Sequence, residues 1–211
     1  MQSTWCKICG VTRAADVLQV EAAGADAIGF NCYPKSPRFL NIGALTDCVV
    51  EVKRAIKVAL FVDPTRGQVE QVLSAVDFDL LQFHGDESAP FCESFGVPYM
   101  KALRMQASVD FTAWAHTYES AWALLIDAYV PGQPGGTGVK FDWHLWPKNA
   151  SQRLVLAGGL TPDNVAEAVS TLNPFGVDVS GGVEGAVKGH KILKKVDHFI
   201  QEVRRAEHRS E

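Results

Sequence analysis

No stretch of this sequence is apolar for long enough to cross a bilayer: a dense run such as Ala121–Ile126 falls far short of the ~18 residues needed. Also missing at the N-terminus is the pattern of a secretion signal. Trp5-Cys6-Lys7-Ile8-Cys9 reads as folded sequence almost at once, so a cytoplasmic protein without a membrane partner is expected. Excess positive charge is absent too. The 20 Lys and Arg against 24 Asp and Glu give a net charge of −4, which argues against a nucleic-acid partner. A small anion stays allowed, because backbone amides can hold one locally against unfavourable net charge. Cysteines are few and odd in number, five in all (Cys6, Cys9, Cys32, Cys48, Cys92), and read as reduced thiols rather than a disulfide framework. Cys6-x-x-Cys9 lacks the second CxxC or HxxxH that would complete a zinc site, and no metal is expected. A redox pair fits poorly, since Lys7-Ile8 lies inside what reads as a strand. His116, His144, His190, His198 and His208 form no ligand set. Neither G-x-G-x-x-G nor a P-loop is present, as Gly138-Val139-Lys140-Phe141 breaks the G-K-[ST] requirement.

What is there suffices for a large core: 211 residues, 47% hydrophobic and 21% charged, which excludes disorder. No linker or composition break divides the chain, so residues 1–211 read as a single domain. β-rich runs recur at Thr4–Cys9, Ala27–Phe30, Val58–Val62, Leu80–Phe83, Pro98–Ala102, Ala123–Asp127, Leu154–Ala157 and Gly176–Val179. Amphipathic helical patterns lie between them. Val17, Val20 and Glu21 mark the first, with a stop at Gly24; Val69, Val72, Leu73 and Val76 mark the third. Thr161-Pro162-Asp163 places an N-cap, a proline at N1 and an acid in the first turn of the seventh. Val196, Phe199, Ile200 and Val203 form the stripe of the last, with Arg204 and Arg205 at its C-terminal end. Eight strand–helix units at ~25 residues each predict a (β/α)₈ TIM barrel, with a doubly wound open sheet as the alternative.

In a barrel, chemistry gathers at the C-terminal ends of the strands. Alternation puts Trp5, Lys7 and Cys9 on one face and Cys6 on the other, and pairs Leu125 with Asp127 and Gly176 with Asp178 and Ser180. A lysine or aspartate facing a packed interior needs a partner, so Lys7, Asp127 and Asp178 read as groups around a site. Cys9 is then a nucleophile, a general base or a buried structural thiol. Asp127 is a general acid or a cap. The pairs Gly158-Gly159 and Gly181-Gly182, the latter after Ser180, read as a phosphate cradle at loops seven and eight or as tight turns. Arg38, in the proline-restricted Tyr33-Pro34-Lys35-Ser36-Pro37-Arg38 loop, is a fork for a carboxylate or a solvated cation. Gln82 and His84 share a face and line the site.

Taken together, Lys7-Ile8-Cys9-Gly10, the Tyr33–Arg38 loop, Gln82-Phe83-His84-Gly85, the Asp127 strand with Gly135-Gly136-Thr137-Gly138 and Phe141-Asp142-Trp143, Leu156-Ala157-Gly158-Gly159-Leu160 and Gly176-Val177-Asp178-Val179-Ser180 resemble the phosphoribosylanthranilate isomerases of tryptophan biosynthesis. The resemblance covers essentially the whole chain in order. It implies a (β/α)₈ fold and a cofactor-free Amadori rearrangement of N-(5-phosphoribosyl)anthranilate, in a monomer or homodimer whose partner is a small phosphorylated substrate. It further implies Asp127 as the acid that opens the furanose ring and Cys9 as the base that removes the C2 proton. Arg38 would hold the anthranilate carboxylate, the loop-seven and loop-eight glycines the phosphate, and Asp178 would order Lys7. An ammonium beside Cys9 is expected to raise its thiolate fraction.

The chain departs from the family's pattern at Asn31-Cys32, which concerns packing under loop two. Gly181 stands where a second serine is common, and Gly189-His190 where Lys-Asp is common. Two rival functions are another phosphoribosyl barrel isomerase, expected to carry Asp at the end of strand one and repeated halves, and an inactive barrel that only binds phosphorylated ligands.

Overall fold

Eight short apolar runs become eight parallel strands, paired in chain order into a closed barrel. The computed structural model describes residues 3–128, 142–148 and 150–207. The strands are β1 (Trp5–Cys9), β2 (Ala27–Asn31), β3 (Ile56–Phe61), β4 (Leu80–Phe83), β5 (Tyr99–Met105), β6 (Ala123–Ala128), β7 (Leu154–Leu156) and β8 (Gly176–Val179). Closure is made by β1 against β8, with Lys7 opposite Asp178, which overturns the open-sheet alternative. A closed sheet leaves no unpaired edge, and the short strands then suffice.

Side-chain alternation sorts the core into two layers. Inside the barrel pack Trp5, Ala27, Val58, Leu80, Met100, Ala102, Ala123, Leu125, Val155 and Ala157. Outside, Cys6, Ile8, Ile28, Phe30, Phe61, Leu81, Phe83 and Ile126 meet the helices. Trp5, Trp122 and Phe175 pack together at the N-terminal end, with the Arg153 guanidinium over two of the rings, and beside them Arg204 ties Asp26 and Glu207 to the start of β1.

The helices are α1 (Ala14–Ala22), α2 (Ile42–Val49), α3 (Arg66–Ala75), α4 (Ala89–Glu93), α5 (Phe111–Thr117), α6 (Val165–Leu172) and α7 (Leu193–Glu207). Local chemistry starts several of them: Asn41 caps α2, and Thr65 with Gln68 forms a reciprocal capping box on α3. Two expectations change. The unit after β6 shows, among the described residues, a 3₁₀ turn at Trp143–Leu145 capped by Asp142 rather than an α-helix. The Thr161-Pro162-Asp163 start is displaced, because α6 begins at Val165 behind Asn164. The Thr161 carbonyl still receives the N–H of Asn164 and Val165, and the Asn164 side chain accepts from Thr161 N, so an extra turn precedes the helix. No described helix is long and apolar enough to cross a membrane.

Candidate active site

The C-terminal ends of the strands surround a cavity of about 350 Å³ lined by Cys9, Arg38, Gln82, His84, Asp127, Asp178 and the glycines of loops seven and eight. Gly135-Gly136-Thr137-Gly138 and Phe141 lie outside the described residues.

β1 delivers two side chains inward. Lys7 is fully buried and donates to Asp178 Oδ1 at 2.9 Å, one of the two carboxylates that alternation grouped with it. Burial opposes its charge, yet Asp178 and Cys9 outweigh that and hold the ammonium above its ordinary pKa. Gly29 on β2 makes the room: a Cβ there would come within 2.9 Å of Cys9 Sγ and 3.0 Å of Lys7 Nζ. Cys6, three residues before Cys9, faces the helices, so the two thiols lie on opposite sides of the strand. The expected effect of Lys7 on Cys9 is present but outweighed. Burial pushes its thiol up and Asp178 adds to that, while Lys7 offsets only part, so the net shift is toward the protonated thiol.

Across the mouth, Asp127 Oδ2 lies 3.1 Å from His84 Nε2, and Gln82 Nε2 lies 2.9 Å from His84 Nδ1. Asp127 is therefore tied to another side chain at the cavity. Both Asp127 and His84 are buried at the cavity wall.

Arg38 is buried, not solvated, and its fork is already engaged. Nε and Nη2 each donate at 2.8 Å to Glu184, which leaves Nη1 and the second Nη2 hydrogen as the donors toward a ligand. Glu184 also receives Lys191 Nζ at 2.9 Å and Gly189 N at 3.0 Å. Lys191 reaches on to the Cys9 carbonyl at 2.6 Å, so one buried hub joins loop two, loop eight and the end of β1. Sequence reading missed both Glu184 and Lys191. The available signal was that a buried Arg38 requires a carboxylate. Burial raises the Glu184 carboxyl, but Arg38 and Lys191 override it and hold it down to about 2.

Replacing Glu184 with glutamine would leave two buried cations facing each other, at an expected cost of ~3–5 kcal/mol. A carboxyl depressed from 4.5 to about 2 stabilises the fold above pH 4.5 and loses that contribution as pH falls toward 2. Thermal melts should therefore show the gap between wild type and Glu184→Gln closing between those values. A gap independent of pH would count against the hub.

Loops seven and eight converge on the same cavity. Gly158 and Gly159 have φ of +84° and +66°, a left-handed pair that turns successive backbone N–H groups one way. A Cβ on Gly182 would overlap the Leu160 carbonyl oxygen, so only glycine fits there. The 3₁₀ turn Gly181–Val183 presents its N-terminus after Ser180, whose Oγ is buried without a hydrogen-bond partner among the described residues. Gly181 is absent from the positive-φ set, and a Cβ there meets only Arg38 Nη2 at 3.6 Å, so the missing hydroxyl is a local choice and not a backbone demand. Gly189 differs. Its φ of +84° lets its N–H reach Glu184, which explains glycine at that departure. Asn31 does more than pack: its Oδ1 accepts from Tyr33 N and starts loop two.

Comparison with known proteins matches this arrangement. The family model for N-(5'-phosphoribosyl)anthranilate (PRA) isomerase matches residues 6–202. A curated N-(5'-phosphoribosyl)anthranilate isomerase of Pseudomonas fluorescens is 49% identical over 207 residues, 98% of each chain. The crystal structure of phosphoribosyl anthranilate isomerase from Thermotoga maritima superposes with a TM-score of 0.85 at 33% identity, covering 95% of this chain and 98% of that one. Another isomerase structure, in complex with reduced 1-(o-carboxyphenylamino)-1-deoxyribulose 5-phosphate, gives 0.78 at 30% identity over 95% and 98%. On these matches, spanning barrel and site alike, the chain belongs to the N-(5'-phosphoribosyl)anthranilate isomerase family.

Proposed function

We propose that the chain converts N-(5-phosphoribosyl)anthranilate into 1-(2-carboxyphenylamino)-1-deoxyribulose 5-phosphate, the Amadori step of tryptophan biosynthesis, in the cytoplasm. The observation that carries this reading is one cavity lined together by the Cys9 thiol, the Asp127 carboxyl and the glycines of loops seven and eight. Asp127 protonates the furanose ring oxygen; the C1–O bond breaks and the anilino nitrogen lone pair forms an iminium. Cys9, as thiolate, takes the C2 proton, and the electron pair moves to C1–C2 and neutralises the iminium. The enol so formed tautomerises to the ketone. C1 is reduced as C2 is oxidised within one molecule, so this chemistry calls for no cofactor and no metal. Asp178, Gln82 and His84 line the sugar side, and Lys7, fully buried behind the cavity lining, holds Asp178 in place. The N–H groups around Gly158, Gly159, Ser180, Gly181 and Gly182 receive the phosphate.

The deciding experiment follows substrate fluorescence as the purified chain meets N-(5-phosphoribosyl)anthranilate. Turnover is expected; a folded chain that binds the reduced product without turnover would instead be a phosphate-ligand-binding barrel. Arg38 supplies a further check. A charge-assisted hydrogen bond is worth roughly 1.5–3 kcal/mol, so Arg38→Ala should lower kcat/KM by about 10- to 150-fold. Lysine should restore only part, since it cannot both pair with Glu184 through two donors and face the carboxylate. Equal losses with a substrate analogue lacking the carboxylate would refute the contact.

A further inference from the structure

The acid–base scheme gives His84 no proton to carry, yet His84 touches the proposed acid. Its Nε2 is 3.1 Å from Asp127 Oδ2, and its Nδ1 is 2.9 Å from the amide nitrogen of Gln82, a fully buried residue. Gln82 Oε1 is buried without a hydrogen-bond partner among the described residues. A carboxyl of ordinary pKa near 3.9 is protonated in only about 0.1% of molecules at pH 7, whereas an imidazole near 6.5 holds a proton in a sizeable fraction. An acid that must be protonated at the start of each cycle therefore gains from sharing its proton with a histidine.

Resting on Asp127 as the acid, we infer that His84, oriented by Gln82, is the positioning residue that reloads Asp127 with its proton. In the arrangement seen, the Gln82 amide N–H donates to Nδ1 and Nε2–H donates to the Asp127 carboxylate, which is the discharged state. A half-turn of the Gln82 amide swings its N–H off Nδ1 and brings the orphaned Oε1 toward it. Nδ1, its lone pair now free, takes a proton that traces to solvent, which makes the imidazolium with Nδ1–H donated to Oε1. Shift of the other proton along Nε2–H···Oδ2 then yields neutral imidazole and the carboxylic acid. Donation to the ring oxygen leaves Asp127 ionised, and a tautomer change returns the pair to its starting state. Proton count balances, with solvent as the source and the Cys9 proton returned there.

Among the described residues, the other ionisable groups that line the cavity are engaged elsewhere or lie on the rim. Lys7 is held by Asp178 and Arg38 by Glu184. Arg104, opposite Asp127 in the β5–β6 ladder, is turned to Asp86 at 3.9 Å. Tyr33, Lys35 and Lys188 line the loops, and Cys9 is the proposed base.

The test is kcat against pH for wild type, His84→Gln and Gln82→Glu. Without the imidazole to hand protons on to Asp127, reloading suffers most where protons are scarce, so the ratio of wild-type to His84→Gln turnover should be at least about tenfold larger at pH 8 than at pH 5. Gln82→Glu places a carboxylate on Nδ1, favours the imidazolium and should shift the pair the opposite way, gaining on wild type as pH rises. A structural role lowers turnover by the same factor at every pH, and flat ratios in both variants would overturn the relay. Should His84→Gln fail to fold, Gln82→Glu and the wild-type ¹⁵N resonances of the His84 ring decide. A ring whose protonation is constant from pH 5 to 8 refutes the proposal. Failure of the underlying reading looks different, since Asp127→Asn would then retain turnover.

Discussion

Asp127→Asn is expected to lower turnover by roughly 10²–10⁴-fold while leaving affinity for the reduced product nearly intact. Asparagine matches the carboxylate in shape, and its amide oxygen can still accept the His84 Nε2–H that Asp127 accepts at 3.1 Å. It has no proton of suitable acidity for the furanose oxygen. The loss should therefore fall in kcat, with kcat and kcat/KM reduced together, as for an interaction made only in the transition state. Isothermal titration with the reduced product and steady-state kinetics measure the two halves separately. Turnover above about a tenth of wild type would lie outside the range of a lost general acid and would assign that role elsewhere.

The barrel was legible because its signal is periodic. Each strand carries a run such as Leu124-Leu125-Ile126 or Val177-Asp178-Val179, and the interruptions by Asp178, Lys7 and Asp127 mark where strands end in a site. Alternation alone showed that an inward Lys7 must meet a carboxylate and offered Asp127 and Asp178; the register of β1 on β8 selects Asp178. Contacts that depend on loop paths were not legible. Arg38 and Glu184 are 146 residues apart, and nothing local to either names the other. The same holds for Lys191 and the Cys9 carbonyl. Asn164 took the cap from Thr161 because a turn can precede a helix without altering the sequence pattern. The Cys9 thiol shows the limit most clearly: Lys7 two residues away suggests a low pKa, but its sign rests on the depth of burial, which spacing does not encode.

That sign shapes the second expected result. Cys9→Ala should cut turnover by roughly 10²–10⁴-fold with little effect on folding, because the side chain faces a cavity rather than a packed layer. Cys6→Ala provides the contrast. Cys6 is fully buried among the helix-facing side chains, so it should lower the melting temperature and leave kcat unchanged. Equal losses of turnover in the two variants would sink the assignment. The thiol's elevated pKa adds a direct readout. The thiolate is the minor form at neutral pH, and its fraction grows tenfold per pH unit until the pKa is passed. Alkylation of Cys9, measured as the difference between wild type and Cys9→Ala, should climb in that proportion across the neutral range. It should level only above the pH where an ordinary thiol does, and bound reduced product should suppress it. A plateau below neutral pH would mean that Lys7 outweighs burial, and the base would then stand ready as thiolate before substrate arrives.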